Sequence, residues 1–151
     1  MVNGRRKGNR AEADVVQIFK AWWGGSPWER RSMGYAGSDL IVPSDFPFSL
    51  EVKHVDTLKA RHIFKPTKQL IEYWNQARDQ AIKENRKPLL VAKIEGMWMA
   101  FSRPWDLPVG AFSSTIKYGY GYAISPLGQL EALVSPLDLF LMLQEEKANV
   151  A

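Results

Sequence analysis

The sequence predicts one domain of the α/β class. Residues 9–23 carry apolar side chains at helical spacing. Residues 38–53 alternate apolar and polar side chains around a proline-rich break, as strands and turns do. Residues 88–94 form a continuous apolar run, which is typical of a buried strand. The 151 residues fit one domain by length, and we expect it to span residues 1–151.

Composition narrows the classes of function. Apolar residues make up 46% of the chain, with six Trp and seven Phe, which is enough for a core. The absence of cysteine excludes a disulfide framework, a thiolate metal site and a cysteine nucleophile. No apolar run approaches the length that spans a bilayer. We therefore expect a soluble, cytoplasmic protein without a membrane partner.

Positive charge gathers near the N-terminus. The net charge is +4, and the isoelectric point is near 9.4. Residues 1–8 are predicted to form a flexible basic arm, and Arg30 and Arg31 adjoin the alternating stretch. Basic side chains near candidate metal-binding acids indicate a polyanionic partner, although ordinary surface charge is the alternative. The N-terminal cluster consists of Arg5, Arg6, Lys7 and Arg10.

The first helix is predicted from about Asn9, as N-cap, to Trp23. Its apolar stripe contains Val15 and Phe19, and Glu12 lies three residues before Val15. Glu12 is therefore expected beside the stripe that packs on the sheet. One interpretation is an acid that interacts with the helix dipole. The other is an acid that reaches a functional site from the helix.

The central prediction is a hairpin of two strands, Ser38–Val42 and Phe48–Lys53. A hairpin centred on residue 45 places Asp39 opposite Glu51. Because side chains alternate faces along a strand, Lys53 shares their face.

Two carboxylates opposite each other on a ladder repel, since their Cβ atoms lie about 5 Å apart. A bound cation relieves this repulsion, and Mg²⁺ binds through one or two carboxylates with water and phosphate oxygens. A nearby lysine completes a set suited to phosphodiester hydrolysis. The alternative is a solvated strand face with Asp39 capping a turn, because short motifs match by chance.

The second helix is predicted over about Thr67–Asn85. Beside its apolar stripe runs a row of amide side chains, among which Gln69 and Gln76 are candidates to hold a lysine, a water or a phosphate. Such rows are most often solvated. Strands are also predicted near Trp28–Ser32 and over Met97–Phe101, the latter after a tight turn at residues 95–96.

The C-terminal third carries two further features. A final helix is predicted from Ser135 to about Lys147, with apolar residues around much of its circumference. That breadth indicates burial on two sides, which a subunit interface would provide. Tyr118–Tyr122 contains three tyrosines that would share one face if extended, suited to base stacking or to a sheet or dimer contact.

The order of these motifs resembles the PD-(D/E)XK nuclease superfamily over about residues 8–101. Within it, the chain looks most like the archaeal-type Holliday junction resolvases and their phage relatives. The resemblance implies a restriction-endonuclease-like fold, with a mixed central β-sheet flanked by α-helices. The segments that carry it are Gly8-x-x-x-Glu12, Arg31-Ser32, Gly37-Ser38-Asp39-Leu40-Ile41 and Leu50-Glu51-Val52-Lys53.

The resemblance also implies roles for individual residues. Glu12, Asp39 and Glu51 would hold Mg²⁺, for which Mn²⁺ would substitute, and Lys53 would orient or activate the attacking water. Arg31 and Ser32 fall where family members carry a basic residue and a functional serine on a mobile loop.

The sequence departs from the family pattern in three places. Ser38 replaces the proline of the motif, and Ala13 stands where some resolvases carry an arginine. The C-terminal third has no counterpart in the pattern. These departures bear more on junction specificity than on nuclease chemistry.

The expected function is thus a Mg²⁺-dependent, structure-selective endonuclease that nicks four-way DNA junctions symmetrically as a homodimer. The N-terminal basic cluster and Arg31 would contact the DNA backbone, with Ser32 beside them. If a virus encodes the protein, it would act inside the host cell. The alternatives are a phage-type endonuclease for duplex, flap or branched DNA, an RNA-directed nuclease, and a non-catalytic DNA-binding protein.

Overall fold

The computed structural model describes residues 4–30, 40–106, 123–127 and 130–150, which form helices packed on both faces of a sheet. The helices are α1 (Gly4–Trp23), α2 (Arg61–Phe64), α3 (Lys68–Glu84) and α4 (Leu137–Val150), with a short 3₁₀ helix at Pro104–Asp106. The strands are β1 (Glu29–Arg30), β2 (Leu40–Ile41), β3 (Phe48–Lys53), β4 (Lys87–Ile94), β5 (Met97–Ser102), β6 (Ala123–Leu127) and β7 (Leu130–Pro136).

Five of these strands form the central sheet in the order β3-β4-β5-β7-β6. Strands β3 and β4 are parallel, with Glu51 paired to Leu90 and Lys53 to Ala92. The other neighbours are antiparallel. The predicted α/β fold with a mixed, helix-flanked sheet, of the restriction-endonuclease-like kind, is therefore confirmed.

Two hydrophobic clusters cover the two faces of the sheet. On one face, α1 and α4 pack against alternate residues of the strands, including Leu50 and Val91. On the other face, α3 packs against the intervening residues, including Leu90 and Ala92, with Trp74 fully buried. Because side chains alternate along a strand, this division decides which helix faces each residue of β3.

Helix α3 has the boundaries that the sequence predicts. The Thr67 hydroxyl accepts a hydrogen bond from the backbone N–H of Leu70 (3.2 Å), as an N-cap does. Asn85 ends the helix with φ of 53°, in the left-handed conformation that asparagine tolerates.

Strands β4 and β5 confirm the predicted strands and the tight turn between them. Glu95 and Gly96 have φ of 49° and 84°. Positive φ at both central residues is what a two-residue hairpin turn requires.

Helix α1 begins at Gly4, five residues earlier than predicted. Asn9 lies inside the helix, so its predicted N-cap role is wrong, and residues 4–8 are helical rather than part of a flexible arm. Residues 1–3 lie outside the described part. The arginines and lysine of this segment favour helix, and their propensity outweighs the cost of Gly8 in the helix interior.

The predicted hairpin register is wrong for the described residues. The described ladders pair β2 with β1, with Arg30 opposite Leu40, and β3 with β4. Between β2 and β3, the backbone N–H of Phe46 donates to the carbonyl oxygen of Pro43 (3.0 Å). This turn buries Phe46 among aromatic rings. Strand β2 ends before Pro43, because proline offers no N–H for a ladder. Asp39 lies outside the described residues, so its position opposite Glu51 stays a prediction.

Helix α4 starts two residues later than predicted, because β7 contains Ser135 and Pro136. Its apolar residues are buried within the chain itself, including Leu139 and Phe140 with no exposed surface. The breadth of its apolar surface therefore gives no evidence for a subunit interface. Tyr118–Tyr122 lies outside the described residues.

None of the described helices combines the length and apolar character needed to cross a membrane.

Candidate active site

Glu51 and Lys53 are held side by side on β3, the edge strand of the five-stranded sheet. Phe48 and Leu50 point toward α1. Because side chains alternate along a strand, Glu51 and Lys53 face the opposite side of the sheet, which α3 covers. Glu51 is only 5% exposed. Its Oε1 lies 3.3 Å from Nζ of Lys53, so the lysine offsets part of the cost of burying the carboxylate.

Tyr73 of α3 lies beneath the Lys53 ammonium. The Lys53 Nζ is 4.8 Å from the centroid of the Tyr73 ring, within the range of a cation–π interaction. The hydroxyl of Tyr73 accepts a hydrogen bond from Nε2 of Gln69 (3.1 Å). Oε1 of Gln69 in turn accepts from the hydroxyl of Thr57 (2.8 Å). A chain of four side chains therefore fixes the direction of the lysine.

The two amide candidates have different surroundings. Gln69 reaches Lys53 through Tyr73, which agrees with a role in holding the lysine. Gln76 is exposed and borders a concavity of about 470 Å³ that side chains of α3 line, Glu72 and Lys83 among them. The structure therefore connects Gln69, but not Gln76, to the Lys53 chain of contacts.

Glu12 is tied to the β1–β2 ladder. Its Oε2 accepts a hydrogen bond from Nε of Arg30 (2.8 Å), and Nη2 of Arg30 donates to Oδ1 of Asn9 (2.7 Å). Arg30 is the ladder partner of Leu40, the residue that follows Asp39 in the chain. The ion pair therefore anchors the helix acid to the strand that begins directly after Asp39.

The predicted DNA-binding residues are only partly described. Arg5 and Arg6 lie in the first turn of α1, and Arg10 is exposed on the same helix. Lys7 forms an ion pair with Asp56, which follows β3. Arg31 and Ser32 lie outside the described residues.

A histidine stands next to Lys53, on the opposite face of the sheet. Burial lowers the pKa of His54, and the positive charges of Lys7 and Lys93 lower it further. A hydrogen bond from Lys7 lowers the pKa of Asp56. At the end of β3, the lysines therefore favour the neutral form of His54 and the ionised form of Asp56.

The described carboxylates suit a hard divalent cation. Within residues 4–30, 40–106, 123–127 and 130–150, no three acidic or histidine side chains stand close enough to form a complete site. Glu51 and Glu12 each carry a carboxylate, the donor type that Mg²⁺ takes with water and phosphate completing its shell. Glu51 faces α3, whereas Glu12 belongs to α1 on the other face of the sheet. The donor type therefore suits Mg²⁺, and the predicted third acid, Asp39, lies outside the described part.

Sequence reasoning did not predict the contacts that three further residues make at the site. Tyr73 was visible as the residue four positions after Gln69 on the same helix face, a spacing at which side chains meet. Arg30 and Thr57 gave no comparable signal, because their contacts cross from one element to another. Chemically, the site offers the buried Glu51 carboxylate beside the Lys53 ammonium, on the edge strand β3.

In a comparison with protein families, the family described as "Phage putative PDDEXK endonuclease" matches residues 3–99. Comparisons with curated proteins and with solved structures returned no significant match.

Proposed function

Because this chain belongs to a family of phage PDDEXK endonucleases, we propose that it is a metal-dependent endonuclease of branched DNA, with the four-way junction as principal substrate. Membership makes the chain a nuclease of the PD-(D/E)XK superfamily. The observation that supports metal-dependent cleavage is the buried Glu51 carboxylate 3.3 Å from the Lys53 ammonium.

Lys53 is the residue that acts on the reacting groups. Its ammonium, held by Glu51 and by the face of Tyr73, is directed to the attacking water or to the charge that develops on the phosphate. A preorganised charge in a partly buried site stabilises a transition state without reorganisation during the reaction. The hydrogen bond that Gln69 donates to the Tyr73 hydroxyl helps to place the ring beside the ammonium.

Glu51 and Glu12, together with Asp39, would hold Mg²⁺ or Mn²⁺. When bound, the ion supplies Lewis-acid polarisation of the phosphate and a more acidic water. Arg30, which pairs with Glu12, keeps that carboxylate oriented in the middle of α1.

Junction specificity rests on the arrangement of charge. Contacts from basic residues to phosphates position DNA without reading bases, which a structure-selective enzyme requires. A second candidate substrate class is duplex or flap DNA. The family description supports it equally, because that description names an endonuclease without naming a DNA structure. The same basic residues could also contact the phosphates of a plain duplex.

The deciding experiment is cleavage of a labelled immobile four-way junction and, separately, of its linear arms, each with Mg²⁺ and with EDTA. We expect paired nicks in the junction alone, lost in EDTA and in Glu51→Gln. Glu72→Gln is the matched control, because Glu72 is an exposed acid on the outer side of α3 whose partner is Lys68. It should cut as the unmodified protein does.

The other outcomes separate the parts of the proposal. Equal cutting of junction and arms would keep the metal-dependent nuclease and overturn junction specificity. Binding without cutting, unchanged by EDTA, would overturn the enzymatic proposal in favour of a DNA-binding protein.

A further inference from the structure

A strongly basic segment follows the strand that carries Glu51 and Lys53. Residues 57–68, which we call the post-β3 segment, contain four lysine or arginine residues and no acid. Three of these four side chains are exposed, and the first of them in the chain is half-buried. A local excess of positive charge is what a polyanionic partner requires. The four cations are Lys59, Arg61, Lys65 and Lys68.

The post-β3 segment is fixed to the body of the protein. Leu58 and Ile63 are buried in the hydrophobic cluster that α3 forms with the sheet. The backbone N–H of Ala60 donates a hydrogen bond to Oε2 of Glu95, in the turn between β4 and β5 (3.0 Å). The exposed cations therefore stand on an anchored backbone, on the face of the sheet that α3 covers and at the end where β3 and β4 finish.

Two adjacent residues after β3 contact the two helices that flank the candidate active site. Asp56 pairs with Lys7 of α1, and Thr57 donates to Gln69 of α3. Helices α1 and α3 pack on opposite faces of the sheet. The basic side chains of α1 and those of the post-β3 segment therefore lie on opposite sides of β3, the strand that carries Lys53.

The cations of the post-β3 segment have little competition from acids. Within the described ranges of the chain, the one ion pair that they form is between Lys68 and Glu72, at 3.9 Å. The Lys68 side chain is 92% exposed, and an exposed pair of this kind is weak enough to yield to a phosphate. On the α1 side, by contrast, Lys7 is already engaged by Asp56. The post-β3 segment is therefore the better supplied of the two surfaces with available positive charge.

We infer that the post-β3 segment binds the phosphates of a second duplex arm, while α1 binds those of the first. The inference rests on the proposed function in taking DNA as the substrate, but it does not need cleavage. Two basic surfaces on opposite sides of one active site suit two arms that diverge there. Phosphate contacts carry no base information, so the two surfaces select the branch itself rather than a sequence.

The test is the affinity of the full chain, in EDTA, for a labelled four-way junction and for one of its linear arms. In Arg61→Gln combined with Lys65→Gln, we expect the dissociation constant for the junction to rise at least about ten-fold. The slope of log affinity against log salt should fall by about 1.8, the value for two phosphate contacts. The dissociation constant for the linear arm should rise less than about three-fold, because a single duplex can still bind at α1.

The matched control removes the same two charges from the other end of the two helices. Lys20→Gln combined with Lys83→Gln changes exposed lysines in the last turns of α1 and α3. This variant should bind the junction as the unmodified protein does. Circular dichroism checks that both double variants are folded.

A second measurement uses the absence of cysteine from the chain. Lys65→Cys and Lys83→Cys each introduce one thiol, to which an aryl azide is attached. On illumination in EDTA, position 65 should crosslink to the junction and position 83 should not.

Two kinds of result would overturn the inference. The first is an equal loss of junction affinity in both double variants, or no crosslink from position 65. The second is an equal loss for the junction and its linear arm, which would show that one duplex touches both surfaces. A protein that binds as expected but never cuts DNA would keep the inference and overturn the enzymatic proposal. A protein that cuts the junction with Mg²⁺, but whose binding is unaffected by the substitutions at Arg61 and Lys65, would do the reverse.

Discussion

The Lys53 ammonium lies between two partners of different kinds, the Glu51 carboxylate at 3.3 Å and the Tyr73 ring at 4.8 Å. The carboxylate is supplied by the same strand, whereas the ring comes from α3 across the sheet face. An ammonium held from two directions loses rotamer freedom before DNA arrives, which favours catalysis by a positioned charge.

Glu51→Gln should lower the rate of DNA cleavage by at least about 100-fold, because it removes a carboxylate that would hold the metal ion and that holds the Lys53 ammonium. DNA affinity in EDTA should be retained, since the substitution removes a negative charge near the phosphates. The fold should survive, because glutamine keeps the size of Glu51 and removes the cost of burying its charge, while Lys53 keeps 22% of its side chain exposed. Cleavage assays, binding titrations and urea unfolding measure the three quantities. A fall in stability matching the fall in activity would point to a structural role.

Long periodic elements and one strand motif could be predicted from the sequence alone. The limits of α3 follow from Thr67 and Asn85, whose side chains suit a helix start and a left-handed end. The strands β4 and β5 follow from an apolar run and a two-residue turn. Glu51 and Lys53 follow from alternation, because residues two apart share a face in any strand.

Features that depend on contacts between distant elements could not be predicted in this way. The pairing of β2 with β1 depends on how Phe46 packs, which no local pattern encodes. The start of α1 was misplaced because Gly4 and Gly8 resemble a flexible segment, although the basic residues between them favour helix. The Arg30 partner of Glu12 comes from a strand of two residues, too short to show a period.

Tyr73→Leu should slow cleavage by about three- to thirty-fold, the value of a cation–π contact worth 0.5–2 kcal/mol. Tyr73→Phe should stay within about three-fold of the unmodified rate, because the ring remains and only the bond to Gln69 is lost. Single-turnover rates on the cleaved DNA measure both. A Phe variant as slow as the Leu variant would assign the effect to the hydroxyl and its amide partner instead.

The Glu12–Arg30 ion pair should contribute at most about 1 kcal/mol to stability, because the Arg30 side chain is 39% exposed. A double-mutant cycle of Glu12→Gln and Arg30→Gln in urea unfolding measures this coupling. The cleavage rates of the two single variants should differ. Glu12→Gln should cut DNA far more slowly than Arg30→Gln, because only the carboxylate can hold the cation. Equal losses of activity would assign Glu12 a role only in anchoring the helix.

Stability should fall as the pH falls below neutrality, and His54 should account for part of the decrease. Its pKa in the folded protein is lowered by burial and by Lys7 and Lys93, with Asp56 and Asp14 opposing them. The unfolded chain therefore binds this proton more tightly, so the stabilisation is complete above the ordinary pKa of 6.5 and is lost as the pH falls through the folded-state pKa. His54→Gln should flatten the dependence measured by thermal unfolding. His62→Gln should retain the slope, because His54 remains.

The affinity for DNA should fall steeply with salt, because each lysine or arginine that meets a phosphate releases a counterion. Arg10 is exposed on α1, and Arg10→Gln should reduce the slope of log affinity against log salt by about 0.9, the value for one phosphate contact. Lys83→Gln removes the same charge from the outer side of α3 and should leave the slope unchanged. Fluorescence anisotropy in EDTA, across several salt concentrations, separates binding from cleavage. Equal slopes for both variants would show that net charge, rather than a contact at α1, governs the affinity.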